Sequence, residues 1–248
     1  HLSCSGAAIC TFLVCDQRLP QNDGRPTADK MGAAPAIAGT KAIFTKKMYA
    51  GMSRLNVSVI IPVYQATQYV ENAVVSALQF DCVKEVVVVL DEDSPSLHDL
   101  AVQWSKIHER VIITQHPGGA HRGAGASRNQ GLRVASCPYV AFLDADDWYL
   151  PNRFDLSTKI FDQKEDVDFV YEAIATSFET EQGKELYLAR GNKEITYVAS
   201  PISSGIKMFE AMLCQPDFGW FHLNGLTIKK ASLQILFDEQ LPQMQDTD

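Results

Sequence analysis

No apolar run in these 248 residues approaches the ~20 residues needed to span a bilayer as a helix. No transmembrane segment is therefore expected in this chain. Its six cysteines (Cys4, Cys10, Cys15, Cys82, Cys137 and Cys214) form no C-x-x-C pair and no paired Cys/His spacing. That argues against a zinc site or a disulfide frame and for reduced core or tail residues. Basic charge is also short. Against 30 Asp/Glu stand 22 Lys/Arg, a net charge of -8, which excludes general nucleic-acid binding through a basic face. Glutamate is missing from residues 1–54, where seven Lys/Arg face three Asp. This stretch carries a Gly/Ala/Pro run from Gly32 to Gly39 and no sustained helical or strand period. Residues 1–53 are expected to be a disordered extension, with Met52 as an alternative start. Gly6–Cys15 has the length of a short signal core, but no basic region precedes it.

What is present lies in residues 54–248. Asn56–Tyr64 reads as a strand, with Pro62 late enough to sit at its end. Val70, Ala73, Val74, Ala77 and Leu78 fall on one helical stripe. Val86–Leu90 is a buried strand that runs into Asp91, Glu92, Asp93 and Ser94. Leu97, Leu100, Ala101 and Trp104 predict a helix and Val111–Thr114 a strand. Gly118, Gly119, Gly123 and Gly125 then precede Ser127, so backbone can approach a ligand and open a helix at its positive end. No Gly-Lys-Ser/Thr closes that stretch, and it does not sit in a first βαβ turn, so it is neither a Walker loop nor a dinucleotide fingerprint. Tyr139–Leu143 is a further apolar strand, ending on Asp144, Asp146 and Asp147. A helix is expected near Asn152–Phe161 and a strand at Val167–Tyr171, with hairpins or a mobile segment over 172–200.

Strand and helix alternate, and acidic clusters close two of the strands. This predicts an α/β fold, a mostly parallel doubly wound sheet whose ligand crevice lies at the strands' carboxyl ends. An Asp-x-Asp there suits a hard divalent cation. A capped helix start with a solvated acidic turn accounts equally well for that motif taken alone.

Four stretches together resemble the family 2 glycosyltransferases of the GT-A fold, in order and spacing. They are Val59-Ile-Ile-Pro-Val-Tyr64, Val88-Val-Leu-Asp-Glu-Asp-Ser94, Gly123-Ala-Gly-Ala-Ser-Arg-Asn-Gln-Gly131 and Val140-Ala-Phe-Leu-Asp-Ala-Asp-Asp-Trp-Tyr-Leu-Pro151. A weaker likeness continues through Gly225–Asp248, and because Asp248 falls inside it the domain is expected to be incomplete at its C-terminus. The resemblance implies a nucleotide-sugar donor, a UDP-sugar first of all, and a Mg²⁺ or Mn²⁺ ion. Pro62, Val63 and Tyr64 would flank the nucleoside, while Asp91 and Glu92 would meet the base. Arg128, Asp144 and Ala145 would lie along the donor, and Asp146 with Asp144 would hold the metal. Glu92 and Asp93 stand where the family usually has a second Asp and a Gly, which implies a shifted base preference and an altered turn.

Transfer with inversion also needs a carboxylate, separate from the metal ligands, to take the acceptor hydroxyl's proton. Phe237–Asp248 resembles the family segment that carries it, with Gln245 in place of Glu, so Asp246 is the expected base. Trp220, Phe221 and His222 could face a sugar or simply fill core. The expectation is an inverting glycosyltransferase in envelope or surface glycan synthesis. Its acceptor would be a glycan, a lipid-linked sugar or a protein, and its place the cytoplasm or the inner face of a membrane. Two rivals are a sugar-phosphate nucleotidyltransferase and a non-catalytic module that binds a nucleotide sugar or glycan. The former is disfavoured because Pro62–Ala66 has no Gly-rich basic loop.

Overall fold

The computed structural model describes residues 7–12, 55–66, 68–93, 95, 98–99, 102–104, 108–178, 180–191, 194–195, 210, 214 and 222–241. The strands and helices run in the order β1 (Ala7–Phe12), β2 (Val57–Val63), α1 (Val70–Leu78), β3 (Val83–Leu90), β4 (Val111–Gln115), α2 (Gly123–Val134), β5 (Tyr139–Phe142), α3 (Asp155–Gln163), β6 (Phe169–Tyr171), β7 (Ala173–Phe178), α4 (Glu181–Ala189) and β8 (Leu226–Lys229). Six of the strands form one sheet in the order β4-β3-β2-β5-β8-β6. β4, β3, β2 and β5 are mutually parallel, while β8 runs antiparallel to both β5 and β6. The expected mostly parallel α/β sheet is therefore present.

The alternation of strand side chains divides the core. Val59, Ile61 and Val63 of β2 join Val86, Val88 and Leu90 of β3 on one face, under Val70, Ala73, Val74 and Ala77 of α1. On the other face Ile60, Val87 and Val89 meet Leu132 of α2 and Phe142 of β5. Because β2 and β3 are covered on both faces, they read as continuous Val/Ile runs. Each such buried side chain is worth about 1.5–3 kcal/mol relative to exposure.

One reading changes. Residues 172–200, expected as hairpins or a mobile segment, include β7 and α4. β8 had no sequence signal, since Leu-Thr-Ile-Lys is too short and mixed for a period to show. In the segment 1–53, β1 pairs antiparallel with β7, and the remaining residues lie outside those described. Of the helix expected around Leu97–Trp104, Leu97, Leu100 and Ala101 also lie outside them.

The edge away from the strands' carboxyl ends is pinned by Glu85. Its carboxylate accepts from Ser58 Oγ (2.6 Å), Ser136 N (2.5 Å) and Ser136 Oγ (2.7 Å). Burial pushes this carboxyl up, but the hydrogen bonds from Ser58 and Ser136 outweigh it and hold the group below its usual range. A depressed folded value contributes stability that is present above the unfolded carboxyl's value, about pH 4.3, and fades as pH falls through the folded one. Glu85→Gln should therefore flatten the acid limb of a stability–pH curve, measured as the melting temperature from pH 3 to 7.

β8 comes close to β6 and to the start of β7 at Gly225. A Cβ there would stand 2.1 Å from the Glu172 carbonyl oxygen and 2.8 Å from the Tyr171 ring. Backbone cannot yield cheaply, so Gly225→Ala should cost about 1–3 kcal/mol in denaturant unfolding.

Candidate functional site

Parallel pairing brings the carboxyl ends of β2, β3 and β5 to one edge: Val63 lies beside Leu90 and Ile60 beside Phe142. The residues that follow these ends carry the chemistry. Pro62 is half-buried and Val63 fully buried, so the latter can flank a ligand through its backbone alone. Tyr64 is 44% exposed, and its ring stacks on His121 with centroids 3.9 Å apart.

Asp91 is buried at the end of β3. Its carboxylate accepts from the backbone N–H of Arg122 (2.7 Å) and of Gly123 (2.9 Å) and lies 2.9 Å from His121 Nδ1. It thereby closes the amino end of α2, where four N–H groups lack helical partners and a negative charge is favoured. Gly123, at φ +88°, supplies the left-handed turn that this approach requires. Behind Asp91 the buried imidazole of His116 is bonded to Ser127 Oγ (3.0 Å). Burial pushes its pKa down, against the pull of the Asp91 charge. The Glu92 carboxylate accepts from Gln65 N (2.9 Å), bracing the β2 loop where Gln65 adopts φ +51°. Asp93, at the position where the resembled family usually has a Gly, packs near Gly119 and lies 3.4 Å from His98.

The turn after β5 presents Asp144 and Asp146 differently. Arg128, buried on α2, donates through Nη2 to Asp144 Oδ1 at 2.8 Å. Asp146 points outward. Partial loss of hydration, and then the charge of Asp144, push its carboxyl above the usual range. A second carboxylate beside Asp146 favours a cation between or beside the two. Ala145 is buried in the turn and Asp147 faces inward. The turn is fixed by Asn224: its Oδ1 accepts from Asp144 N (3.2 Å), and its Nδ2 donates to Asp147 Oδ2. Asn224 in turn receives Arg153 Nε on its carbonyl (3.0 Å).

The structure thus brings together Tyr64, Asp91, Arg128, Asp144 and Asp146 on one edge. Asp246, Trp220 and Phe221 lie outside the described residues, while His222 accepts from Asn224 N through Nδ1 (3.3 Å). His116, His121 and Asn224 were missed. Nothing local marks an Asn or His as a partner of a residue 25 to 80 positions away. Among the described residues no three His/Cys/Asp/Glu side chains converge as a ready metal cage. Two carboxylates on one turn nevertheless fit Mg²⁺ or Mn²⁺, which commonly take one or two carboxylates and complete their shell from phosphates and water.

A family model, "Glycosyl transferase family 2", matches residues 58–217. Among curated relatives, the putative teichuronic acid biosynthesis glycosyltransferase TuaG of Bacillus subtilis is 39% identical over 92 residues, covering 37% of this chain and 36% of TuaG. The poly(ribitol-phosphate) beta-glucosyltransferase of Bacillus spizizenii is 28% identical over 97 residues, 38% of this chain and 15% of that protein. A crystal structure of S. aureus TarS superposes with a TM-score of 0.53 at 20% identity, over 77% of this chain and 53% of that one, a likeness of fold. The matched stretches thus span between about a sixth and about half of these proteins' lengths. With the family model spanning well over half of its residues, and the carboxyl-edge site carried on the same fold, this chain belongs to glycosyl transferase family 2.

Proposed function

We propose that this chain forms the donor-binding part of an inverting, metal-dependent glycosyltransferase that moves a sugar from a nucleoside diphosphate to an acceptor hydroxyl. The observation that carries this reading is the placement of an exposed aromatic face (Tyr64 on His121), the Arg128-bound Asp144 and the outward Asp146 on one sheet edge. Tyr64 offers its ring to the base, with Pro62, Val63 and the buried Asp91 beneath it. Glu92 acts by holding the Gln65 turn. At the other end Arg128 and Asp144, with Ala145 behind them, lie along the diphosphate, and Asp146 with Asp144 would hold Mg²⁺ or Mn²⁺. A divalent ion there supplies positive charge against the departing diphosphate.

In the transfer, the acceptor oxygen attacks the anomeric carbon from the face opposite the diphosphate. The carbon–oxygen bond to that diphosphate breaks, and the hydroxyl proton passes to Asp246. A UDP-sugar is the favoured donor, supported by S. aureus TarS, which has been crystallised with UDP and with UDP-GlcNAc. Envelope or surface glycan synthesis is supported by the relatives' names, teichuronic acid biosynthesis and poly(ribitol-phosphate) glucosylation. The acceptor would be a glycan, a lipid-linked sugar or a protein, met in the cytoplasm or at the inner face of a membrane. Among the described residues no helix is long and apolar enough to cross a membrane.

Asp246→Asn should lower transfer or donor hydrolysis by about 10²–10⁴-fold while leaving UDP affinity within a factor of about three. Loss of UDP binding instead would remove Asp246 from that role. Metal-dependent turnover of any nucleotide sugar excludes a binding-only module.

A further inference from the structure

Asn129 follows Arg128 on α2 and is 1% exposed, yet its amide faces a segment more than 100 residues away. Its Oδ1 accepts from the Phe237 backbone N–H at 2.9 Å, and its Nδ2 donates to the Phe237 carbonyl at 2.8 Å. One side chain thus satisfies both backbone polar groups of Phe237, as a neighbouring strand would. Nδ2 also reaches Glu239 Oε1 at 3.1 Å, and the Glu239 carboxylate lies 3.4 Å from Arg133 and 3.8 Å from Arg122 of the same region. Between exposed Leu236 and Asp238, Phe237 is half-buried. Its ring meets Phe142, at the end of β5, edge-on at 5.5 Å, and the Arg128 guanidinium lies 5.9 Å from its centroid.

Arg128 is therefore held from two directions, by Asp144 on the donor side and by the Phe237 face on the other. The same latch fixes the start of the segment that continues toward Asp246. We infer that Asn129 is a positioning residue: it docks Phe237–Glu239 on α2 and so keeps the acceptor-side segment in register with the Arg128–Asp144 pair. This role rests on the functional reading above; the latch itself does not.

The test uses the full chain, with UDP and UDP-GlcNAc as probes in the presence of Mn²⁺. Asn129→Leu keeps the side chain's length and removes both bonds to Phe237. Exchange of the Phe237 amide hydrogen should rise at least about tenfold, with amides of β2 unchanged. The Kd for UDP should stay within about threefold, while UDP release from UDP-GlcNAc falls about 10²-fold, the cost of an ångström-scale misplacement. Asn129→Asp sets a carboxylate against the Phe237 carbonyl and Glu239 and should act likewise. Adding Glu239→Gln to it restores a donor to the Glu239 contact, though not to the Phe237 carbonyl, and should recover part of the rate, which keeps the inference testable if Asn129→Leu fails to fold. An unchanged Phe237 exchange rate overturns the latch. Equal losses in UDP affinity and turnover, or no recovery in the double variant, overturn the positioning role. A wild-type chain that binds no nucleotide overturns the functional reading and the role with it, and exchange alone then decides the latch.

Discussion

Arg153→Met should destabilise the protein by about 3–5 kcal/mol, the usual cost of stripping one partner from a buried ion pair. Arg153 and Glu172 are both fully buried and bonded to each other. The guanidinium also donates to Thr227 Oγ1 (3.0 Å), the Leu226 carbonyl (2.9 Å) and the Asn224 carbonyl (3.0 Å). Its plane lies over Tyr149 and Phe154, at 5.0 and 4.7 Å from their centroids. Glu172 accepts in addition from Ser157 Oγ (3.0 Å) and Leu156 N (3.2 Å). Removing the cation leaves a buried carboxylate and three oxygen acceptors without their donor. Removing both charges leaves far less unsatisfied, so Arg153→Met with Glu172→Met should lose much less than the sum of the two single changes. Denaturant unfolding of the four species measures that coupling. Because Arg153 holds Asn224, and Asn224 holds the Asp144–Asp147 turn, the single variant should also weaken UDP binding in the fraction that folds. Intact nucleotide affinity in folded Arg153→Met would break that chain of support.

Asp146→Ala carries the second large effect, and here activity and stability should move in opposite directions. Asp146, though exposed, loses part of its hydration and faces the charge of Asp144, and both disfavour its ionised form in the folded protein. Removing it relieves that cost, and the melting temperature should stay level or rise. Turnover of a nucleotide sugar should fall about 10³-fold, the equivalent of roughly 4 kcal/mol of transition-state stabilisation. Asp144→Asn should differ. It leaves the buried Arg128 guanidinium facing a neutral amide in place of a carboxylate 2.8 Å away, so stability and turnover fall together. A drop in stability in Asp146→Ala, or unaltered turnover, would argue that the carboxylate pair is an ordinary structural turn.

The parts of this molecule that show in its sequence are those governed by short-range pattern. Val86–Leu90 and Ile60–Val63 read as buried strands because both faces are covered, and the α1 stripe recurs at the helical period. Acids at strand ends were legible as well, since carboxylates that close apolar runs stand out from the residues before them. The illegible parts depend on distant partners. β8 is four residues long and takes its place only because β5 and β6 leave it a slot. Glu92 pairs with the Gln65 backbone, Asn224 with a turn 80 residues earlier, and Asn129 with Phe237. An amide that bridges two backbones has the same letter as an amide on the surface. The departures at Glu92 and Asp93 follow the same logic: Glu92 reaches the Gln65 N–H with its extra methylene, and Asp93 fits beside Gly119.

Thermal unfolding with Mn²⁺ and a panel of UDP-, GDP- and dTDP-sugars tests the central claim, a donor site at the carboxyl edge of β2, β3 and β5. A ligand bound only by the folded state, at about 100 times its Kd, adds about 2.7 kcal/mol. The account predicts a Mn²⁺-dependent shift with a UDP-sugar that vanishes in Asp146→Ala. A well-folded wild-type chain that shifts with none of these donors, or shifts equally without Asp146, would contradict it.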